Sequence, residues 1–204
     1  MSVDKMSKKP GRPKKEQVGD TKENILQTAS FLFMEHGYEK ISMEQVAEAC
    51  NVTKASVYYY FKNKATLFAM AIASMMQRIQ QRTDMILQDG ENLKEKLYTI
   101  TVHRLRVPHI DFETLMREAT PSLTEEHVKQ IREAEASIHH SLEAVFQQAM
   151  EEGEITTKNP LLLSHMFATV TMISNKEQLM KELGGPEKAA EELVDLFWNG
   201  IAKE

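Results

Sequence analysis

The sequence predicts an all-α protein of about nine helices, and three observations carry that expectation. From Thr21 onward, apolar residues recur at helical spacing. Glycine, proline and asparagine interrupt the pattern where helices would end. Runs of β-branched residues are short and lack hairpin turns, so no convincing strand pair emerges. Three divisions follow: a disordered basic arm over residues 1–20, a three-helix helix-turn-helix domain over 21–68, and a larger helical domain over 69–204.

The arm contains the basic run from Lys8 to Lys15 and shows no hydrophobic periodicity. In the first helix Ile25, Ala29, Leu32, Phe33 and His36 share one face. Gly37 ends it, because glycine accepts the left-handed conformation past a helix terminus. Ser42 opens the second helix with Ser-Met-Glu-Gln, a capping box in which Ser42 and Gln45 satisfy each other's backbone amides. Val46, Ala47 and Cys50 are expected to face inward. Asn51, second only to glycine in the left-handed position, makes the turn. Thr53 caps a third helix, Lys54 to about Phe61, with Val57 and Phe61 buried. Asn63 caps a long fourth helix reaching about Leu87. Breaks at Asp89-Gly90, Pro108, Pro121-Ser122, Gly153, Asn159-Pro160 and Gly184-Gly185-Pro186 divide the rest. The last two segments run from Leu161 to Leu183 and from Glu187 to Lys203.

Composition excludes several functional classes. The net charge of -5 is uneven: residues 1–70 hold 11 Lys+Arg and 8 Asp+Glu, leaving 14 and 22 for residues 71–204. A mildly basic front and an acidic back fit one nucleic-acid end and one that is not. With Cys50 as its only cysteine the chain has no intrachain disulfide, and a reducing, cytoplasmic setting is expected. No apolar stretch of about 18 residues appears, so no membrane partner is expected. The basic N-terminus lacks the apolar segment of a signal peptide. GxSxG, HExxH and phosphate-loop patterns are missing, which argues against an enzyme. No two histidines stand at i, i+4, so neither metal nor cofactor is expected.

Residues 42–64 concentrate the chemistry. Lys54 lies on the first turn of the third helix, where it can donate to guanine O6 and N7, with Ala55 and Ser56 beside it at the groove floor. Thr53 and Ser42 cap their helices at the groove edge. Tyr58 and Tyr59, one turn along, offer hydroxyls to phosphates, with Tyr60 close by. Lys64 places a charge and a backbone amide at a helix N-terminus, a natural phosphate site. Pro10-Gly11-Arg12-Pro13-Lys14 resembles an AT-hook core, in which Arg12 enters a narrow minor groove; nonspecific phosphate attraction explains it equally well.

The string from Thr21 to Phe68 resembles the N-terminal domain of TetR-family transcriptional regulators. It carries Gly37-Tyr38, the Ser42 cap, Val46-Ala47, and Val57-Tyr58-Tyr59-Tyr60-Phe61 ahead of Lys62-Asn63-Lys64. Asn51 and Ala55 stand where the family more often has glycine. The resemblance implies a homodimeric repressor on a palindromic double-stranded operator, associated with the nucleoid when bound. It also implies that Tyr58 and Tyr59 contact the DNA backbone, and that the C-terminal helical domain binds ligand and dimerises. The alternatives are a DNA-binding regulator with no small-molecule ligand, or a helical ligand carrier.

For a small apolar or amphipathic inducer of unknown identity, the candidate lining is Met75, His103, Phe112, Met116, Phe146, Met150, Met166 and Phe167. Methionine packs adaptably and suits a pliable pocket, though filling gaps in the core is the plainer account. Arg104 and Arg106, near His103, can receive an acidic ligand. The last two segments are apolar on more than one face. Leu163, Phe167, Val170, Leu193, Phe197, Trp198 and Ile201 are therefore the expected dimer contacts in a two-fold four-helix interface.

Overall fold

The computed structural model describes residues 15–89, 92–106, 111–156, 159–171 and 177–202. Among them are ten α-helices: α1 (Lys15–His36), α2 (Met43–Ala49), α3 (Lys54–Tyr60), α4 (Lys64–Gln88), α5 (Leu93–Leu105), α6 (Phe112–Ala119), α7 (Glu125–Glu151), α8 (Pro160–Val170), α9 (Glu177–Glu182) and α10 (Pro186–Asn199). A short 3-10 turn, Thr120–Ser122, follows α6. The only β pairing among these residues is a single antiparallel bridge, Ile155 with Ala202.

The count exceeds nine because the expected Leu161–Leu183 helix is two. At the end of α8 the Thr171 hydroxyl donates to the Ala168 carbonyl at 2.7 Å, and helix resumes in α9. At the other end, α1 starts at Lys15, so the last residues assigned to the arm belong to the first helix.

The leading helices form for the local reasons their sequence gives. Ser42 accepts from the Gln45 N–H at 3.2 Å while its own N–H donates to Gln45 Oε1 at 2.8 Å, completing the capping box. Asn51 sits at φ 54, left-handed. Its N–H donates to the Glu48 carbonyl and the Val52 N–H to the Ala47 carbonyl, each at 3.0 Å, a Schellman ending that Asn51 completes in place of glycine. Thr53 caps α3 by accepting from the Ser56 N–H, and Asn63 caps α4 by accepting from the Thr66 N–H.

One core gathers Ile25, Ala29 and Phe33 of α1, Val46, Val57, Phe61, and Leu67, Phe68 and Ile72 of α4. Phe68 meets Phe33 and Tyr38 edge to face at 5.0 Å. His36, expected on this buried face, is exposed beside Glu35, because a titratable ring at the last turn is better solvated. The same core continues into Leu115, Met116 and Ala119 of α6 and Ile131, Ala134 and Ile138 of α7. Packing therefore does not break at residue 68. α4 runs through that point and packs along α7 more extensively than any other helix pair. A second core joins α5, α7, α8 and α10 around Phe146, Phe167 and Phe197, whose rings lie 5.5–6.5 Å apart.

Candidate nucleic-acid interface

α3 separates two faces. Val57 and the following Phe61 are fully buried, which orients the helix. Lys54, Ala55, Tyr58 and Tyr59, at i, i+1, i+4 and i+5, then share the outer face. Tyr59 is 80% exposed and Tyr58 41% exposed, so neither is core. Tyr60 departs from the expectation: it is half-buried against the core and meets the Tyr59 ring edge to face at 5.1 Å.

The hydroxyls of Thr53 and Ser56 lie 2.8 Å apart and engage each other, so both are held at the helix start. Lys54 forms an ion pair with Glu44 of α2, and its ammonium lies 5.6 Å from the centre of the Tyr58 ring. The pair holds the Glu44 carboxyl below its ordinary range and the Lys54 ammonium above its own. Helical spacing alone does not single out Glu44. An acidic residue in the first turn of α2, favoured by the helix dipole, was the available signal.

Lys64 is less free than its position suggests. Its ammonium donates to the Glu39 carbonyl at 3.3 Å and sits 4.2 Å from the centre of the Tyr38 ring. Partial burial lowers its pKa. What it still offers a phosphate is the start of α4, the helix it opens. Ser42 is half-buried in its capping box, and Arg12 lies outside the described residues. Cys50 is buried, its thiol pushed up by burial, as suits a packing residue.

The eight residues expected to line a ligand pocket do not converge. Met75, Phe112 and Met116 belong to the first core, and Phe146, Met150 and Phe167 to the second. Met166 is exposed, while His103 accepts from the Arg82 guanidinium through Nε2 at 2.9 Å. Periodicity marked them as apolar but carried no record of which core each joins. Among the described residues a shallow crevice, lined by Thr101, Phe167, Val170, Thr171, Leu193, Val194 and Phe197, lies between α5, α8 and α10 and leaves no interior room for a water molecule.

The expected dimer contacts divide between the chain's own core and its surface. Leu163, Phe167, Phe197 and Ile201 are buried within the chain itself, and Val170, Leu193 and Trp198 are half-buried. The apolar residues these helices leave exposed are Leu161, Leu162 and Met166 on α8 and Leu196 on α10.

Residues 25–71 match the bacterial regulatory proteins of the tetR family. A Bacillus subtilis (strain 168) protein, the uncharacterized HTH-type transcriptional regulator YhgD, is 26% identical over 152 residues, 72% of this chain and 78% of that one. The probable acrEF/envCD operon repressor of Escherichia coli (strain K12) is 29% identical over 93 residues, 43% of this chain and 42% of its own. Among solved structures, the Bacillus subtilis transcriptional regulator FadR in complex with stearoyl-CoA superposes with a TM-score of 0.68 at 18% identity, covering 87% of this chain and 98% of that one.

Proposed function

Because this chain belongs to the tetR family of bacterial regulatory proteins, we propose that it is a homodimeric transcriptional repressor, released from a palindromic operator by a small apolar or amphipathic ligand. Its role is to bind DNA, not to catalyse. The observation that carries this reading is the outer face of α3, where Lys54, Ala55, Tyr58 and Tyr59 stand clear of a helix anchored by Val57 and Phe61. A two-turn helix with a basic N-terminal side chain and two exposed phenols suits a major groove flanked by phosphates.

Release needs only a small motion. Two recognition helices must sit about one helical turn of DNA apart, roughly 34 Å, to reach both half-sites. α4 connects the DNA-binding helices to the bundle, and α6 touches them directly: the Tyr38 N–H donates to a Glu118 carboxylate oxygen at 3.2 Å. A ligand that shifts α6 or α4 therefore pivots the head. No helix among the described residues is long and apolar enough to cross a membrane. We place the protein in the cytoplasm, on the nucleoid when bound.

A second reading, a DNA-binding regulator with no small-molecule ligand, draws support from the crevice. It is a shallow dent with no interior room even for a water molecule, whereas ordinary ligand pockets enclose roughly 300–1,000 Å³.

Gel shifts on the DNA upstream of the protein's own gene test the DNA-binding role. Sequence-selective binding that weakens steeply with salt is expected. Lys54→Ala combined with Tyr59→Ala should abolish selectivity while leaving the helical fold intact. No selective complex at low salt would sink the repressor reading, and survival of binding in the double variant would sink the residue assignment.

A further inference from the structure

Among the described residues, one largely desolvated charge of the helical bundle has no counterpart. Arg104, on α5, is only partly exposed, and burial alone lowers the pKa of its guanidinium. No carboxylate among the described residues acts on it. Other cations of the helical bundle differ in this respect. Arg106 bonds Glu187 at 2.7 Å, Lys94 pairs with Asp195 at 2.7 Å, and Arg132 bonds Glu113 at 2.5 Å. A guanidinium cannot escape desolvation by shedding its proton as a histidine can. Left unmatched, it weakens the fold that holds it.

Its neighbours add to the imbalance. His139 on α7 stacks against His165 on α8, ring centres 3.9 Å apart. The Nδ1 of His139 is buried and makes no hydrogen bond. Burial, then His165, Arg104 and His140, hold His139 neutral, with its pKa lowered to about 4. Three helices thus bring a desolvated guanidinium, an orphaned ring nitrogen and a second imidazole to one place. All three can donate hydrogen bonds to an oxyanion, His165 from the exposed side, and among the described residues no acid acts on Arg104 or His139.

We propose that Arg104, His139 and His165 form a binding site for the anionic head group, a carboxylate or a phosphate, of a small molecule. The planar guanidinium matches either oxyanion with two parallel hydrogen bonds, and His139 in its Nδ1–H tautomer supplies a third. α5 and α8 carry two of its three residues, and the same two helices line the crevice through Thr101 and Phe167. An acyl or alkyl chain extending from the head group would enter there and widen the crevice. Binding stands on the cluster alone; its effect on the operator rests on the ligand-responsive reading proposed above.

Octanoate, octyl phosphate and octanol, titrated into the full-length protein by calorimetry, form the test. One or both anions should bind at least about tenfold more tightly than octanol, as charge-assisted hydrogen bonds imply. Response to octanoate alone identifies a carboxylate site, and to octyl phosphate alone a phosphate site. Arg104→Gln should abolish that preference yet melt at or above the wild-type temperature without ligand, because it removes an unmatched charge. Should that variant misfold, His165→Gln serves instead and should weaken the anions but not octanol. Equal binding of octanol, an unchanged preference in the variants, or no binding by either anion at millimolar concentration overturns the proposal. A parallel gel shift separates the two readings. Anion binding that leaves the operator occupied keeps the site and ends ligand-responsive release. Release by octanol regardless of Arg104 does the reverse.

Discussion

At the scale of single residues, the DNA contact proposed for Lys54 competes with a partner it already holds. In the free protein it pairs with Glu44 across the α2–α3 turn, both side chains standing in solvent. Such exposed pairs add little to stability, so the pairing bears mainly on binding. A phosphate or guanine must displace the carboxylate, and Glu44 itself would then lie close to DNA. Glu44→Gln should therefore tighten operator binding by about 2- to 5-fold at low salt, the range of an exposed ion pair. Fluorescence anisotropy across a salt series measures it; a weaker complex would mean that Glu44 orients Lys54 and does not compete for it. His139 gives a different signal. Its pKa is about 4 in the fold against an ordinary 6.5. As pH falls, the unfolded chain takes up the proton first. The stability this ring contributes is thus complete above 6.5 and lost progressively down to about 4. Arg104 faces it from α5, His165 from α8 and His140 along α7, all positive or able to become so. Relative to His139→Gln, wild type should lose at most about 2 kcal/mol more between about pH 7.5 and about pH 5, allowing for partial solvent screening. Urea melts at the two values read the difference, and parallel losses in the two proteins would refute it.

At the scale of elements, the α2–turn–α3 unit depends on one non-glycine residue at positive φ. Asn51 at φ 54 aims α3 away from α2, and its Schellman bonds hold the angle. Asn51→Gly should be close to neutral. Asn51→Val places a β-branched side chain in the left-handed region and should cost about 1–2 kcal/mol, measured by denaturant melting, with operator affinity falling alongside. Equal stability in the two variants would show that the turn relaxes. This unit was legible in the sequence because every signal in it is local: Ser42 and Gln45, Thr53 and Ser56, and Val57 with Phe61 lie within a turn of one another. Lys64 was legible only in part. Its place at the start of α4 follows from the Asn63 cap, whereas its contacts with Tyr38 and Glu39 join residues some 25 positions apart. The back domain was least legible for the same reason. Helical spacing marks Phe146, Met116 and Phe167 as inward, but tertiary packing assigns Met116 to one core and the other two to the second. Nor did any local pattern place Glu118 of α6 beneath the Tyr38 amide, 80 residues away.

At the scale of the whole molecule, the second core decides where two copies can meet. Phe167 and Phe197 close their rings on Phe146 inside one chain, so α8 and α10 have already spent their strongest apolar residues internally. Their outer sides keep Leu162 at 56%, Met166 at 49% and Leu196 at 74% exposed, beside Leu161. A two-fold axis would use each of these residues twice, once from each copy. It would also fix the separation of the two α3 helices through the shared bundle. Leu162→Glu combined with Leu196→Glu should therefore give a folded monomer. The exposed side chains contribute little to the internal core, and the like charges would face one another across the axis. Sedimentation should find wild type dimeric and the variant monomeric, with the same helical content by circular dichroism. Operator affinity should fall by about a hundredfold or more, because each head would bind its half-site without the effective concentration the partner supplies. A variant that stays dimeric moves the interface elsewhere. A monomer that keeps full operator affinity would show that one α3 helix suffices, and that the symmetric arrangement of two heads is not what the back domain controls.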